Sequence, residues 1–259
     1  MKKLSRVVFL LVAAVLIAGT AWGATEEFNW EGQIIPGQAI EIKGVNGAVQ
    51  AFPSQTGQVE VTAVKTGRSD DPESVRIEVV PHGEGVTICA VYPGSRNRCE
   101  PGNGGNLGAK SNDVEVDFTV KVPSGVNFIG RTVNGNVSAS ELDADGTGYT
   151  VNGNVEISCN GFARARTVNG SVFASMNSMD WEDQLELETV NGSVSVTLPA
   201  DASANLKANL LNGEIDSEFP LTVEGKWGPK HAVATLGSGG PELAIKTVNG
   251  NIKLVKMAQ

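Results

Sequence analysis

Thr132-Val133-Asn134-Gly135-Asn136-Val137 returns eighteen residues on as Thr150-Val151-Asn152-Gly153-Asn154-Val155. It recurs as Thr167-Val168-Asn169-Gly170-Ser171-Val172, Thr189-Val190-Asn191-Gly192-Ser193-Val194 and Thr247-Val248-Asn249-Gly250-Asn251-Ile252. A degenerate copy, Leu210-Leu211-Asn212-Gly213-Glu214-Ile215, and an early one, Gly44-Val45-Asn46-Gly47-Ala48-Val49, bring the number to seven. The central copies are spaced by 17 to 22 residues, the period of a stacked repeat in which each unit seals the apolar side of the next.

The flanks alternate apolar and polar residues. Ile40-Glu41-Ile42-Lys43, Leu185-Glu186-Leu187-Glu188, Leu206-Lys207-Ala208-Asn209 and Leu243-Ala244-Ile245-Lys246 precede the motif, and Val155-Glu156-Ile157-Ser158-Cys159 and Val194-Ser195-Val196-Thr197-Leu198 follow it. Period two predicts strands with one buried face. Asn-Gly tolerates positive φ and predicts a tight change of direction between two strands, making Asn46, Asn134, Asn152, Asn169, Asn191, Asn212 and Asn249 the structural turn residues. A second turn signal lies midway through each repeat, as at Asp143-Ala144-Asp145-Gly146 and Asn160-Gly161.

The expected fold is all-β, as a single-domain β-solenoid of parallel stacked strands or as an antiparallel meander or sandwich. Charges on the outer face favour the solenoid. Arg164, Glu186 and Lys207 stand five residues before successive asparagines, with Arg166, Glu188 and Asn209 three before. In a stack they would be neighbours about 4.8 Å apart and form ladders, together with a column of asparagines.

Residues 1–23 read as a secretory signal peptide: Lys2, Lys3 and Arg6, an apolar run from Val7 to Ala18, then Ala21-Trp22-Gly23 before the cut. The run is short for a membrane span, and none is expected after cleavage. Residues 24–124 then form an N-terminal β region with a closed loop, continuous with the Val-Asn-Gly array of 125–259. Removing the signal takes the formal charge from −9 to −12, which repels phosphate backbones and argues against nucleic acid as a partner.

In an oxidising compartment Cys89 and Cys99 are expected to pair across a Gly/Pro/Asn-containing loop, stabilising by about 2–3 kcal/mol in the chain-entropy view. Cys159 shares a parity with Val155 and Ile157, so the expectation is a buried thiol acting as a small hydrophobe, with a free reactive thiol as the alternative. The long Gly/Asn/Pro-rich stretch from Tyr92 to Asn112, cinched by that disulfide, is the best candidate contact surface.

The repeated Thr-Val-Asn-Gly-Asn/Ser-Val pattern, with Ile88-Cys89-Ala90-Val91-Tyr92-Pro93 and Cys99 upstream, resembles the bacterial putative-adhesin family of unknown function, related to auto-transporter adhesin head domains. The likeness spans roughly residues 30 to 256. It implies a β-solenoid-like domain at the cell envelope or outside it, and brings no catalytic residues with it.

The residues themselves argue little for chemistry. Asp113, Glu115 and Asp117 share a strand face, which suits a solvated surface better than a Ca²⁺ site. Asp143-Ala144-Asp145-Gly146 lacks the downstream acidic ligand of a calcium loop. His82 and His231 sit in no metal or nucleophile motif, and Gly102-Asn103-Gly104-Gly105 has no following Lys-Ser/Thr. Trp181 and Trp227 suit stacking on sugars or capping a core. The expectation is therefore no catalytic, cofactor or metal residues: an exported, non-enzymatic interaction scaffold of the periplasm, cell surface or medium, whose partner is an envelope protein or glycan. A carbohydrate-active or carbohydrate-binding β-helix is the alternative.

Overall fold

The alternating segments become strands in the computed structural model, which describes residues 24–182, 184–224 and 229–258. The expected signal peptide of residues 1–23 and Trp227 lie outside the described residues. The first strands are β1 (Ala24–Gly32), β2 (Ala39–Lys43), β3 (Val49–Pro53), β4 (Val59–Gly67), β5 (Arg76–His82), β6 (Gly85–Val91) and β7 (Glu115–Val122). Next come β8 (Asn127–Arg131), β9 (Val137–Leu142), β10 (Gly146–Tyr149), β11 (Val155–Cys159), β12 (Ala163–Arg166), β13 (Val172–Met176), β14 (Leu185–Glu188) and β15 (Val194–Leu198). The last are β16 (Ala204–Asn212), β17 (Ile215–Ser217), β18 (Thr222–Glu224), β19 (Lys230–Leu236), β20 (Glu242–Asn249) and β21 (Ile252–Lys256).

The chain is all-β, in two sheets. One runs β1-β4-β7-β3-β9-β11-β13-β15-β21-β17 and the other β18-β19-β16-β20-β14-β12-β10-β8-β2-β6-β5. Each Val-Asn-Gly copy carries the chain from the second sheet to the first, so one strand of each makes a tier. Central neighbours pair in parallel between equivalent positions: Val155 faces Val137 on one side and Val172 on the other. Among the described residues, antiparallel pairs stand at the ends, where β1, β4 and β7, β5 and β6, and β16, β19 and β18 meet.

Five of the six positions of the hexapeptide have a structural task, while the second, at Val151 and Val168, is exposed. The Thr hydroxyl donates to the glycine carbonyl of the preceding tier: Thr150 to Gly135 at 2.9 Å, Thr167 to Gly153 at 2.8 Å, Thr189 to Gly170 at 2.7 Å. The Asn side chains form one column, described below. The glycines sit at φ near +156°, as in Gly153 and Gly170. A Cβ on Gly170 would stand 1.9 Å from the Gly153 carbonyl oxygen, so the tiers close only over glycine. The residue after glycine accepts from the next backbone: Asn136 Oδ1 from Asn154 N–H and Asn154 Oδ1 from Ser171 N–H, both at 2.8 Å. The final Val, at 137, 155, 172 and 194, is fully buried.

Val, Ile, Leu and Ala of the two inner faces fill a thin core. Where the second sheet has Gly146 and Gly148, Ile157 and Val155 of the first fill the space, within 2.5 Å and 2.4 Å of where a Cβ would lie. Cys159 is in register with Leu142 and Met176 and is buried in that core.

The stacking order departs from chain order at both ends. β2/β3 lies between β6/β7 and β8/β9, and β20/β21 lies between β14/β15 and β16/β17. This corrects the expected charge ladder. Ala244, not Lys207, is the neighbour of Glu186, and Lys246, not Asn209, is the neighbour of Glu188. Lys246 Nζ pairs with Glu186 at 2.8 Å and Arg166 with Glu188 at 3.3 Å, while Lys207 pairs with Glu242.

Candidate functional site

The seven turn asparagines stand in a single column. Asn134 Nδ2 donates to Asn46 Oδ1 at 2.9 Å, Asn152 to Asn134 at 2.8 Å, and Asn169 to Asn152 at 2.9 Å. Asn191 donates to Asn169 at 2.9 Å, Asn249 to Asn191 at 2.9 Å, and Asn212 to Asn249 at 2.8 Å. These amides satisfy one another along the edge of the stack, a structural task.

The candidate contact surface lies elsewhere. Parity on β2 sends Ile40 and Ile42 inward and Glu41 and Lys43 outward, in register with Thr87 and Cys89 on β6 and Ile129 and Arg131 on β8. Cys89 therefore faces out of the second sheet, and its disulfide to Cys99, with Cα atoms 5.7 Å apart, fixes the Tyr92–Asn112 loop onto that outer face. Within the loop Arg98 and Asn106 exchange backbone hydrogen bonds, and Asn97 Nδ2 donates to the carbonyls of Tyr92 and Gly108.

The loop covers charges. Glu41 is 3% exposed and Lys43 7%. Glu41 Oε2 accepts from Thr87 Oγ1 at 2.9 Å and Gly102 N–H at 2.8 Å, and its Oε1 takes Arg131 Nε at 2.8 Å. Lys43 Nζ donates to the carbonyls of Glu100 at 2.7 Å and Gly104 at 2.9 Å. Desolvation pushes the Lys43 ammonium below its ordinary pKa; Arg131 adds to that, while Glu41 and Glu100 oppose it. The Arg131 guanidinium lies 4.4 Å from the centroid of the Tyr149 ring on the next strand. A cavity of about 260 Å³ opens here, lined by Lys43, Arg131, Leu107 and Gly102 to Gly105.

Sequence reasoning placed Glu41 and Lys43 on an outer face and missed their burial. The available signal was Cys89, which shares their parity: a loop tied to it has to fold over that face. The other candidates have local partners. Asp113 accepts from Asp70 and Ser69 N–H, which hold its carboxyl below the usual range, and Asp117 accepts from Ala48 N–H at 2.8 Å. Asp143 accepts from Asn160 at 2.9 Å and Asp145 from Phe162 N–H at 3.0 Å, both across neighbouring turns. Burial raises the Asp145 carboxyl, against the Phe162 N–H and Arg164. His82 contacts Thr87 on β6 and His231 contacts Asn209 near the opposite end of the sheet. Trp181 is 5% exposed and donates Nε1–H to the Glu242 carbonyl at 3.1 Å, which makes it a core cap. Among the described residues no three His, Cys, Asp or Glu gather to hold a metal ion, and no helix is long and apolar enough to cross a membrane.

Fold and site together define an all-β repeat protein whose two sheets are joined by asparagine turns and whose one disulfide ties a loop over a charged outer face. The chain belongs to the Toastrack DUF4097 family, whose profile matches residues 38–255. It is similar to a solved structure described as a putative cell adhesion protein from Clostridium sporogenes, 12% identical, with a TM-score of 0.45 over 90% of this chain and 100% of that one. A putative adhesin from Bacteroides fragilis is 11% identical, with a TM-score of 0.37 over 89% of this chain and 97% of the other. No curated protein matches the sequence.

Proposed function

We propose that this protein is a β-solenoid serving as a non-enzymatic interaction scaffold, exported to the cell envelope or beyond, and that it binds a surface component through the loop-covered face of the second sheet. The observation that carries the reading is the fastening of the Tyr92–Asn112 loop: a disulfide from β6 and hydrogen bonds from Glu41 and Lys43 hold an otherwise irregular segment against a strand face. Ordering a loop of this length costs conformational entropy, and a surface held rigid in advance loses less on binding. The leader-like residues 1–23 and the disulfide fit an oxidising compartment.

Fractionation of cells expressing the native chain tests location, and a binding screen of the purified protein against envelope proteins and glycans tests the role. Recovery outside the cytoplasm without the first 23 residues, together with saturable binding to an envelope component, is the expected result. Cytoplasmic, uncut protein removes the proposal. Release of sugar products from a polysaccharide replaces the scaffold with a carbohydrate-active enzyme.

A further inference from the structure

Beneath the loop, two cations accompany one buried carboxylate. Glu41 is saturated by Thr87, Gly102 and Arg131. Glu100, at the surface, is engaged by Arg98 and by Gly105 N–H. Lys43 directs two of its three ammonium protons to carbonyls and has no acceptor for the third among the described residues. Arg131 uses Nε for Glu41, and its two Nη groups have no hydrogen-bond partner among the described residues. The cavity above them is lined by Gly102, Asn103, Gly104, Gly105 and Leu107 together with the two cations.

The Arg131 side chain is 26% exposed and lines the opening, so an anion entering the cavity meets guanidinium donors not already taken by protein groups. We propose that this cavity is an anion site that takes the carboxylate or sulfate substituent of an acidic glycan. The inference rests on the scaffold reading and names its ligand class. Register supports a chain-like ligand: Lys43, Arg131, Tyr149 and Arg166 are successive neighbours on four strands, so cations and an aromatic ring line up across the sheet. Arg166 is itself paired with Glu188, and Glu186 with Lys246, so the positive strip ends at Arg166. The formal charge of −9 opposes any long polyanion, so the short cation strip suits a single acidic substituent or a short acidic oligomer.

Calorimetry with the disulfide-intact protein tests the site, using oligogalacturonate, the same oligomer methyl-esterified, and inorganic phosphate. The acid oligomer should bind, weakly enough to be lost at high salt, and shift the amide resonances of Gly102 and Gly105. Arg131→Gln and Lys43→Met should each weaken it by about tenfold or more. Glu41→Gln should strengthen it, since the anion then has Arg131 to itself. A loosened loop would weaken binding in all three variants, so the opposite sign for Glu41→Gln separates the site from a folding defect. Equal binding of the esterified oligomer, weakening by Glu41→Gln, binding of phosphate alone, or no binding of the acid oligomer overturns the proposal. If the last occurs while the protein still binds an envelope component, only the anion site falls; if neither binds, the scaffold reading falls with it.

Discussion

Asn152 donates its side-chain amide to Asn134 Oδ1 at 2.8 Å, although the two residues lie on separate tiers and are eighteen apart in sequence. The same direction is kept at all six steps of the column, so each interior asparagine gives one hydrogen bond and receives one. Polarised chains of this kind strengthen cooperatively. They also fix register, because a tier displaced by one residue presents a different side chain to the column.

Asn169→Ala removes two of these bonds and should cost about 1–2 kcal/mol in urea unfolding. Asn212→Ala, at the column's end, removes one and should cost about half as much. Equal midpoints for the two variants would show that the column contributes no stability of its own.

Gly170→Ala should be far worse than either. Its new methyl has nowhere to go, since Gly153 above it is itself pressed against Gly135. A loss of about 4 kcal/mol or failure to fold is expected, whereas Gly57→Ala, with open space around it, should stay within about 0.5 kcal/mol of the parent. Thermal melts of the pair decide this.

Cys159 should resist thiol reagents until the protein unfolds. Burial pushes its thiol up to about 12, so thiolate is scarce at neutral pH, and the core excludes the reagent as well. With disulfide-exchange dyes the native protein should release no colour, the denatured protein one equivalent, and the denatured and reduced protein three. Colour from the native state would place the thiol at the surface.

Tyr92 should ionise late. Its hydroxyl donates to the Val114 carbonyl at 2.8 Å, and burial raises its pKa to about 12. The folded value lies above the unfolded value of about 10, so the associated stability is complete below pH 10 and is lost as pH rises through 12. In a Tyr149→Phe background, where Tyr92 is the remaining tyrosine, phenolate absorbance should rise near pH 12. A midpoint near 10 in folded protein would remove the buried hydroxyl.

What could be read from the chain beforehand was local and periodic. Alternation fixed which way Val155 and Glu156 point, and the recurrence of Asn-Gly fixed where the chain turns, because both depend on neighbours in sequence. The position of Lys207 could not be read this way. Its neighbour is chosen by which tier docks on which, and an insertion of β20 between β14 and β16 leaves no trace in either strand's own pattern. The cluster around Glu41 was hidden for a similar reason. Its burial depends on a loop that begins about fifty residues later, and only the shared parity of Cys89 hints at the cover.

The interleaving of the last tiers bears on how the molecule is made. From β8 to β15 each new tier can settle on the one just completed as the chain emerges. Residues 210–217 cannot, because their parallel neighbours, β20 and β21, have yet to be synthesised. Their parallel partners come from a stretch of chain ending at Lys256, which lies between them and the β14/β15 tier. A chain halted before β20 would therefore leave β16 and β17 without the parallel partners they have in the complete stack.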